Sequence, residues 1–319
     1  MVASRAATVR PPSSAHTVWR STTRFARTWP YLVPALVFFV GWQLWPIVRA
    51  LWISFTNFSF LLDDSPESAK WIGFENYVNA LQDPLVRDGL WHAAIFTAIF
   101  LPGMVFLPMV TAVLVDRVRN QKLATTYRLI LLIPAMIPGP LIFILWVWMY
   151  SNGIGPINYV LVDVLHVYDL QNQPTWLGST NTTFLSLALM EWWWGLGFHT
   201  MFYLAGLSTI PKELYESARV DGASEWRIFW RITFARLRPI LLVLVVLRFG
   251  TAYALIDEYI LTGGFDRSKP TYTWTVYMWD TAFQVGDQNR GYAASIGWIG
   301  TIGMLAVVLW LFHAFRNKD

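Results

Sequence analysis

Hydrophobic residues along the chain gather into six long runs separated by polar segments. Each run approaches the roughly 20 apolar residues with which a helix crosses a bilayer. Their approximate bounds are 30–55, 91–115, 127–150, 182–207, 240–261 and 291–314. Lipid offers the backbone no hydrogen-bond partners, so each run must be a helix or part of a closed barrel. Continuous apolar stretches such as 141–149 lack the alternation of barrel strands. The pattern therefore predicts six transmembrane helices.

The composition agrees with a membrane protein. The 319 residues are 55% hydrophobic and 14% charged, whereas about 25% of the residues of a soluble domain are charged. The chain has no cysteine, which excludes disulfides and thiolate metal sites. Its histidines show no ligand spacing, and no P-loop, dinucleotide glycine motif or Ser-His-Asp pattern is present. We therefore expect no metal, no cofactor bound by this chain and no catalytic residue.

The distribution of Lys and Arg predicts the orientation, because cytoplasmic loops are enriched in both residues. The N-terminal tail, the second and fourth connecting loops and the C-terminal end carry 17 of them, against 5 on the alternate loops. Both termini are therefore predicted to lie in the cytoplasm. The first run is too long for a cleaved signal peptide and is taken as a retained helix. The tail, residues 1–28, is basic and lacks acids, so we expect it either to be disordered or to lie on the anionic lipid of the inner membrane surface. The net charge does not indicate nucleic acid.

The most polar long stretch covers residues 213–239, in the fourth connecting loop. Pro211 suits the first turn of a helix and Gly222 the position just past its end, which predicts a short helix over 212–221. Ser224 can cap a second short helix that does not span the membrane. The apolar stripe of this second helix consists of Trp226, Phe229, Trp230 and Thr233.

Two interpretations of this polar stretch differ in what it contacts. An amphipathic helix held by anionic lipid explains the aromatic stripe and the arginines. It does not explain Glu213, Glu216 and Asp221, because an anionic leaflet repels acidic side chains. A protein partner with basic and apolar groups accounts for both signs of charge, and we favour it.

The same stretch resembles the EAA motif of the permease subunits of binding-protein-dependent ABC importers. The resemblance rests on Glu216-Ser217-Ala218 and Asp221-Gly222-Ala223, followed by Phe229, Ile232 and Pro239. Further segments in the family's order, among them WIGFENY and GYAASIGWIG, extend it over about residues 28–315. It is closest to the carbohydrate-uptake branch, in particular to the first of that branch's two unlike permeases. The chain departs from the motif at Ser217, where Ala is usual, and at Phe234-Ala235, where Leu-Pro is usual.

The resemblance implies an all-α integral membrane protein with six transmembrane helices and the type I ABC importer (MetI-like) permease fold. Residues 29–319 would form the transmembrane domain after the tail 1–28, with the EAA segment at about 211–235. Such a subunit does not hydrolyse ATP; it forms one half of the pore of an ATP-driven sugar importer. The implied partners are a second, unlike permease, an extracytoplasmic sugar-binding protein and two ATPase subunits that hold ATP and Mg. The implied location is a bacterial-type plasma (inner) membrane.

The EAA segment would contact the ATPase, with Glu216 meeting a basic residue of an ATPase groove and Gly222 permitting the turn between the two helices. The predicted coupling residues are Glu213, Glu216, Ser217, Ala218, Asp221, Gly222, Ala223 and Phe229.

Charged and aromatic residues within the spans are candidates for the substrate path, because ionisable groups in a membrane core are functional by default. Arg248 lies deep in the fifth run, where a structural ion pair and a cavity-lining role both remain open. Asp257, Tyr253 and Trp194 offer the carboxylate and aromatic faces that suit sugar hydroxyls and rings. Glu191 lies near a predicted span end, where we expect it to reach the interface.

Two other classes of protein remain as alternatives. An ion-coupled secondary transporter of a small polar solute would show paired inverted halves with broken helices, and no such pairing is visible. A purely structural scaffold would leave the polar stretch without a mechanism.

The glycines at 297, 300 and 303 indicate close packing of the sixth span rather than substrate contact.

Overall fold

The structure, a computed structural model, describes residues 29–179, 181–256, 259, 264–284, 286 and 288–316. The N-terminal tail and the path candidate Asp257 lie outside the described residues. The chain divides into two compact units, with the boundary between Ile53 and Ser54. Apart from two isolated β bridges, the regular structure of the described residues is helical. The all-α fold class is therefore confirmed.

The first unit contains helix α1, Trp29–Ile53. A π turn at Phe39–Leu44 precedes Pro46 in this helix. Proline has no N–H to donate to the carbonyl four residues earlier, and helices respond with kinks or altered turns.

The second unit is built from helices in the following order. They are α2 (Glu75–Gln82), α3 (Pro84–Asp116), α4 (Gln121–Leu132), α5 (Gly139–Met149), α6 (Pro156–Tyr159), α7 (Thr183–Leu207), α8 (Lys212–Val220), α9 (Glu225–Ile228), α10 (Phe234–Tyr253), α11 (Trp274–Phe283) and α12 (Arg290–Arg316).

Five of the six predicted spans each overlap a single helix. Three of these are long and apolar enough to cross a membrane by length and composition: Trp29–Ile53, Pro84–Asp116 and Arg290–Ala314. α7, with 25 residues, covers the fourth predicted span, whereas α10, with 20 residues, covers the fifth only from 240 to Tyr253. The count of six spans stays a prediction, because the third span has a different form.

The third predicted span, 127–150, is not one helix. α4 ends at Leu132, a 3₁₀ turn follows at Pro134–Met136, and α5 begins at Gly139. Pro134 and Pro138 lack the N–H groups that would continue the hydrogen-bond ladder. The indole N–H of Trp194 on α7 donates to the carbonyl of Ile137 at 3.2 Å. A neighbouring helix thus satisfies backbone that the break exposes, which is the condition for breaking a helix within a membrane.

Helices α3 and α7 pack against each other along the centre of the second unit. α7 carries apolar residues at its exposed positions, such as Leu185 and Phe198, as well as at its buried ones, which explains its lack of an amphipathic pattern. Two apolar clusters form around this pair. One includes Phe96, Met104 and Leu187. The other includes Met109 and Tyr203 and lies toward the EAA segment.

Asp83 fixes the start of α3 against the helices near the end of the chain. Its carboxylate accepts the backbone N–H of Leu85 at 2.8 Å, capping α3. The same carboxylate accepts the hydroxyls of Tyr277 on α11 and Tyr292 on α12, at 2.7 and 2.8 Å. Burial, with the hydrogen bond to Asp83, raises the pKa of Tyr277 to about 12, so this hydroxyl stays a donor at neutral pH.

The predicted close packing of the sixth span is confirmed at two of its glycines. A Cβ added at Gly300 would lie 2.5 Å from the Trp274 ring, and one at Gly297 would lie 2.8 Å from the sulfur of Met278. Both partners belong to α11, so α11 and α12 pack closely; the rigid Trp274 ring leaves no space for a Cβ at Gly300, whereas the flexible Met278 side chain lies against Gly297.

Candidate functional site

The first helix of the EAA segment forms as the sequence predicts and ends in a Schellman motif. α8 covers Lys212–Val220, and Gly222 follows with φ of +73°. The N–H of Gly222 donates to the carbonyl of Arg219 at 3.0 Å, and that of Ala223 to the carbonyl of Ala218 at 2.9 Å. These two bonds satisfy carbonyls that the helix end leaves without partners. The position requires glycine for its backbone conformation and not for space, since an added Cβ would meet no atom within 4 Å.

The two faces of α8 have different surroundings. Leu214 and Tyr215 are half-buried and pack against the apolar cluster around Met109 and Tyr203. The Tyr215 hydroxyl also lies 3.2 Å from the hydroxyl of Thr233. The opposite face presents Glu213, Glu216, Ser217 and Val220, all exposed, at positions i, i+3, i+4 and i+7. We call these four residues the acidic stripe.

The acidic stripe brings together three of the predicted coupling residues and one residue that was not predicted. Val220, at the end of the stripe, is 87% exposed, and an exposed valine one turn from an acidic residue is suited to contact with a protein. Of the other predicted residues, Asp221 and Gly222 are exposed at the turn, whereas Ala218 and Ala223 are half-buried beneath it.

The second helix of the EAA segment differs from the prediction of a short, separate helix. Ser224 caps it as predicted, accepting the N–H of Arg227 at 3.4 Å. From Glu225 the helix passes through a π turn at Phe229–Thr233 and continues as α10 to Tyr253. No helix-breaking residue intervenes before Pro239, so the second helix is the beginning of the fifth span.

The predicted aromatic stripe exists but its members have different environments. Trp226 is 72% exposed and packs on Trp230, with ring centroids 5.6 Å apart. Trp230 in turn contacts Phe106 of α3 and Phe234. Phe229, a predicted coupling residue, is half-buried against the cluster around Met109. Its contacts with this cluster are part of the packing that holds the segment in place.

Glu225 lies at the centre of an ion-pair cluster that sequence analysis missed. Its Oε1 accepts from Nε of Arg219 at 3.1 Å, and its Oε2 from Nη2 of Arg117 at 2.5 Å. Arg117 directly follows the last residue of α3. The hydrogen bond from Arg219, together with the charge of Arg117, holds the pKa of Glu225 below its usual value. The carboxylate is therefore ionised at neutral pH.

The structure places the substrate-path candidates in separate surroundings. The N–H of Trp194 is bonded to Ile137, and its ring packs edge-on against Phe143 at 5.8 Å. Tyr253 stacks on Phe249 at 5.6 Å, and its carbonyl accepts the indole N–H of Trp274 at 2.9 Å. No described contact joins Trp194 to Tyr253.

Arg248 lies beside a buried histidine that the sequence did not single out. Its Nε donates to Nε2 of His199 at 2.6 Å, while Nδ1 of His199 lies 2.7 Å from the carbonyl of Gly195. A carbonyl only accepts, so Nδ1 carries the proton and Nε2 is the acceptor. A Cβ at Gly195 would lie 3.3 Å from Nη2 of Arg248 and would also collide with Met104. Gly195 thus leaves room for the guanidinium.

The expectation that Glu191 reaches the interface is wrong. Its side chain lies in α7 on the same face as Gly195 and His199, at i, i+4 and i+8, and it is 3% exposed. The face of α7 that carries Glu191 is turned into the protein interior, whereas Leu189 and Trp193 on the same helix are exposed; distance along the sequence from a span end does not reveal which face is buried.

Comparison with known proteins assigns the chain to a family. Residues 104–317 match the model of the family described as "Binding-protein-dependent transport system inner membrane component". The chain therefore belongs to this family, and it is a permease subunit that catalyses no reaction itself. An ion-coupled carrier, the alternative from the sequence, does not fit a family of binding-protein-dependent systems.

Individual relatives cover most of the chain. It is 32% identical over 279 residues to the inner membrane ABC transporter permease protein YcjO of Escherichia coli (strain K12), covering 87% of this chain and 90% of the relative. It is 30% identical over 289 residues to the sulfoquinovosyl glycerol transport system permease protein SmoG of Agrobacterium fabrum, covering 90% of each.

A solved structure shares the fold. A chain of a bacterial ABC transporter involved in the import of the acidic polysaccharide alginate superposes with a TM-score of 0.80, at 21% sequence identity, over 95% of this chain and 99% of that one. The expected permease fold of ABC importers is confirmed.

Proposed function

We propose that the chain forms one half of the pore of an ATP-driven sugar importer and receives the motion of its ATPase subunits through α8. The observation that carries this proposal is the acidic stripe, which is presented to solvent by a helix whose other face is anchored in the protein core. A helix built in this way can bind a partner on one side and transmit displacement on the other. The EAA resemblance and the family assignment support the same role.

The sugar class rests on the relatives and on the branch that the sequence resembles. The name of SmoG states transport of sulfoquinovosyl glycerol, a sugar glycoside. We infer that this chain also passes a sugar, delivered by an extracytoplasmic binding protein. A second, unlike permease would complete the pore, because a half-pore cannot enclose a path alone.

The orientation follows from the loop charges. We infer that both termini and α8 face the cytoplasm, where two ATPase subunits would bind ATP and Mg. Coupling through α8 requires differential contact, because the ATPase subunits shift the permease only if α8 fits their two states unequally.

For the substrate path we retain Arg248 and Tyr253, with Trp194 and Asp257 as further candidates. His199 and Gly195 join them as the residues that seat the Arg248 guanidinium. Guanidinium N–H groups donate hydrogen bonds to sugar hydroxyls, so Arg248 is the member whose chemistry fits a polyhydroxylated solute best.

Docking is tested by the exchange Glu216→Lys in the acidic stripe. Reversal of charge on an exposed residue should leave the fold intact but repel a basic groove, so we expect the ATPase subunits no longer to co-purify after detergent extraction. Glu75→Lys, the same change on an exposed glutamate of α2, serves as the matched control. Unchanged co-purification and ATP-dependent uptake in Glu216→Lys would refute the proposal.

A further inference from the structure

The Glu225 carboxylate connects two parts of the chain that are far apart in sequence. Arg219 belongs to α8, whereas Arg117 lies at the end of α3, 108 residues before Glu225. The three side chains are each about half exposed. We call Arg117, Arg219 and Glu225 the charge clamp.

Stability is not the main effect of such a cluster, because exposed ion pairs contribute little to the free energy of folding. Apolar packing already joins the same elements: Val115 of α3, Leu214 of α8 and Ile232 meet in the cluster around Met109 and Tyr203. Apolar contacts are non-directional, whereas two guanidinium groups on one carboxylate fix direction. The charge clamp therefore adds orientation to elements that are already in contact.

The helix connections show what this orientation can do. The chain itself joins α8 to α7 through residues 208–211 and to α10 through Gly222 and α9. α3 has no such direct connection along the chain to α8, and the charge clamp supplies a polar contact between them. α3 in turn packs along α7 through the centre of the unit.

We propose that Glu225 is a positioning residue for coupling: with Arg117 and Arg219 it holds α8 at a fixed angle to the end of α3. Displacement of α8 by the ATPase then reaches α3 directly, besides travelling along the chain into α7 and α10. This inference rests on the proposed function, because it requires α8 to be the element that the ATPase moves.

A simpler role for Glu225 makes a different prediction. Glu225 is the first residue of α9, where an acidic side chain is favourable next to the helix N-terminus. In that role Arg117 would be irrelevant, and the effect of Glu225→Ala would not depend on it.

The test is a double-mutant cycle in the full complex, with its ATPase subunits and binding protein. We expect Arg117→Ala and Glu225→Ala each to lower sugar uptake per ATP hydrolysed by at least about 5-fold, the lower end of usual coupling effects. Uptake per ATP in the double variant should be no lower than in the more impaired single variant, since both substitutions remove the same link. Glu225→Asp should retain part of the coupling. Arg119→Ala, an exposed arginine of the same loop, should behave as the unmodified protein.

Three outcomes would overturn the proposal. One is normal uptake per ATP in Arg117→Ala, and another is strictly additive loss in the double variant. The third is loss of ATPase co-purification in Arg117→Ala, which would place these side chains in the docking surface itself. The docking proposal is tested by whether the complex of Glu216→Lys assembles. The charge clamp is tested by uptake per ATP in a complex that has assembled, so the two proposals can fail separately.

A covalent substitute provides a second test, because the chain has no cysteine of its own. The variant with Arg117→Cys and Glu225→Cys lacks the ion pair and should be poorly coupled. Bridging the two thiols with a short bifunctional reagent should restore uptake per ATP, whereas the single-cysteine variants treated alike should show no recovery. Persistent loss of coupling after complete bridging would contradict a positioning role.

Discussion

Gly222 illustrates at the residue scale how one position shapes the site. Its φ of +73° is accessible to glycine without strain, and the residue completes the hydrogen bonds that end α8. The sequence sufficed to locate it, because a glycine after a polar helical stretch is a local signal.

We expect Gly222→Ala to destabilise the protein by about 1–2 kcal/mol, the cost of a left-handed conformation for a residue with a Cβ. Steric overlap adds nothing to this free-energy cost, because the space around the position is open. Thermal unfolding of the purified protein measures the effect. Gly250→Ala, within α10 at an ordinary 3.7 Å contact, is the control, and an equal shift in both variants would contradict the role of φ.

The guanidinium of Arg248 gives a second prediction at this scale. Arg248→Met removes the charge and the hydrogen bond to His199 while keeping a long side chain, so uptake should fall with ATPase co-purification unchanged. Leu247→Met, on the adjacent and 58% exposed residue, controls for a change on the same helix. Undiminished uptake for every sugar that the complex carries would remove Arg248 from the path.

At the scale of elements, the broken third span depends on a residue of another helix. Pro134 and Pro138 are visible in the sequence, yet the continuous apolar run led to the prediction of one helix. The interruption is tolerated because Trp194 supplies a donor to the Ile137 carbonyl, and a sequence pattern does not show which helix lies nearby.

Trp194→Phe should therefore destabilise the protein by about 1–3 kcal/mol, the usual cost of a carbonyl left without its partner. Phenylalanine keeps an aromatic ring but also loses the end of the indole that lies beside Gly139 and Phe143, so part of the effect comes from lost packing. The measurement is the thermal unfolding midpoint in detergent. Trp193→Phe, on the neighbouring 40% exposed tryptophan, should have the smaller effect, and the reverse order would refute this role.

At the scale of the whole molecule, the loop charges predict which ends of the helices face the cytoplasm. The absence of native cysteine makes this testable with single cysteines. We expect Asp64→Cys to react with a membrane-impermeant thiol reagent in intact cells, and Arg119→Cys to react only after permeabilisation. Both residues are exposed, so accessibility in the fold is matched, and the opposite labelling pattern would invert the proposed orientation.

The sequence by itself determined the helical class, the approximate positions of the apolar runs, and the turn and cap at Gly222 and Ser224. These features depend on neighbouring residues, through hydrophobic periodicity and backbone chemistry. The tertiary structure alone decided the pairings of Glu225 with Arg117, Arg248 with His199, and Trp194 with Ile137, which are 108, 49 and 57 residues apart. Such contacts depend on how whole helices pack, and a hydrogen bond forms only where that packing brings donor and acceptor within about 3 Å.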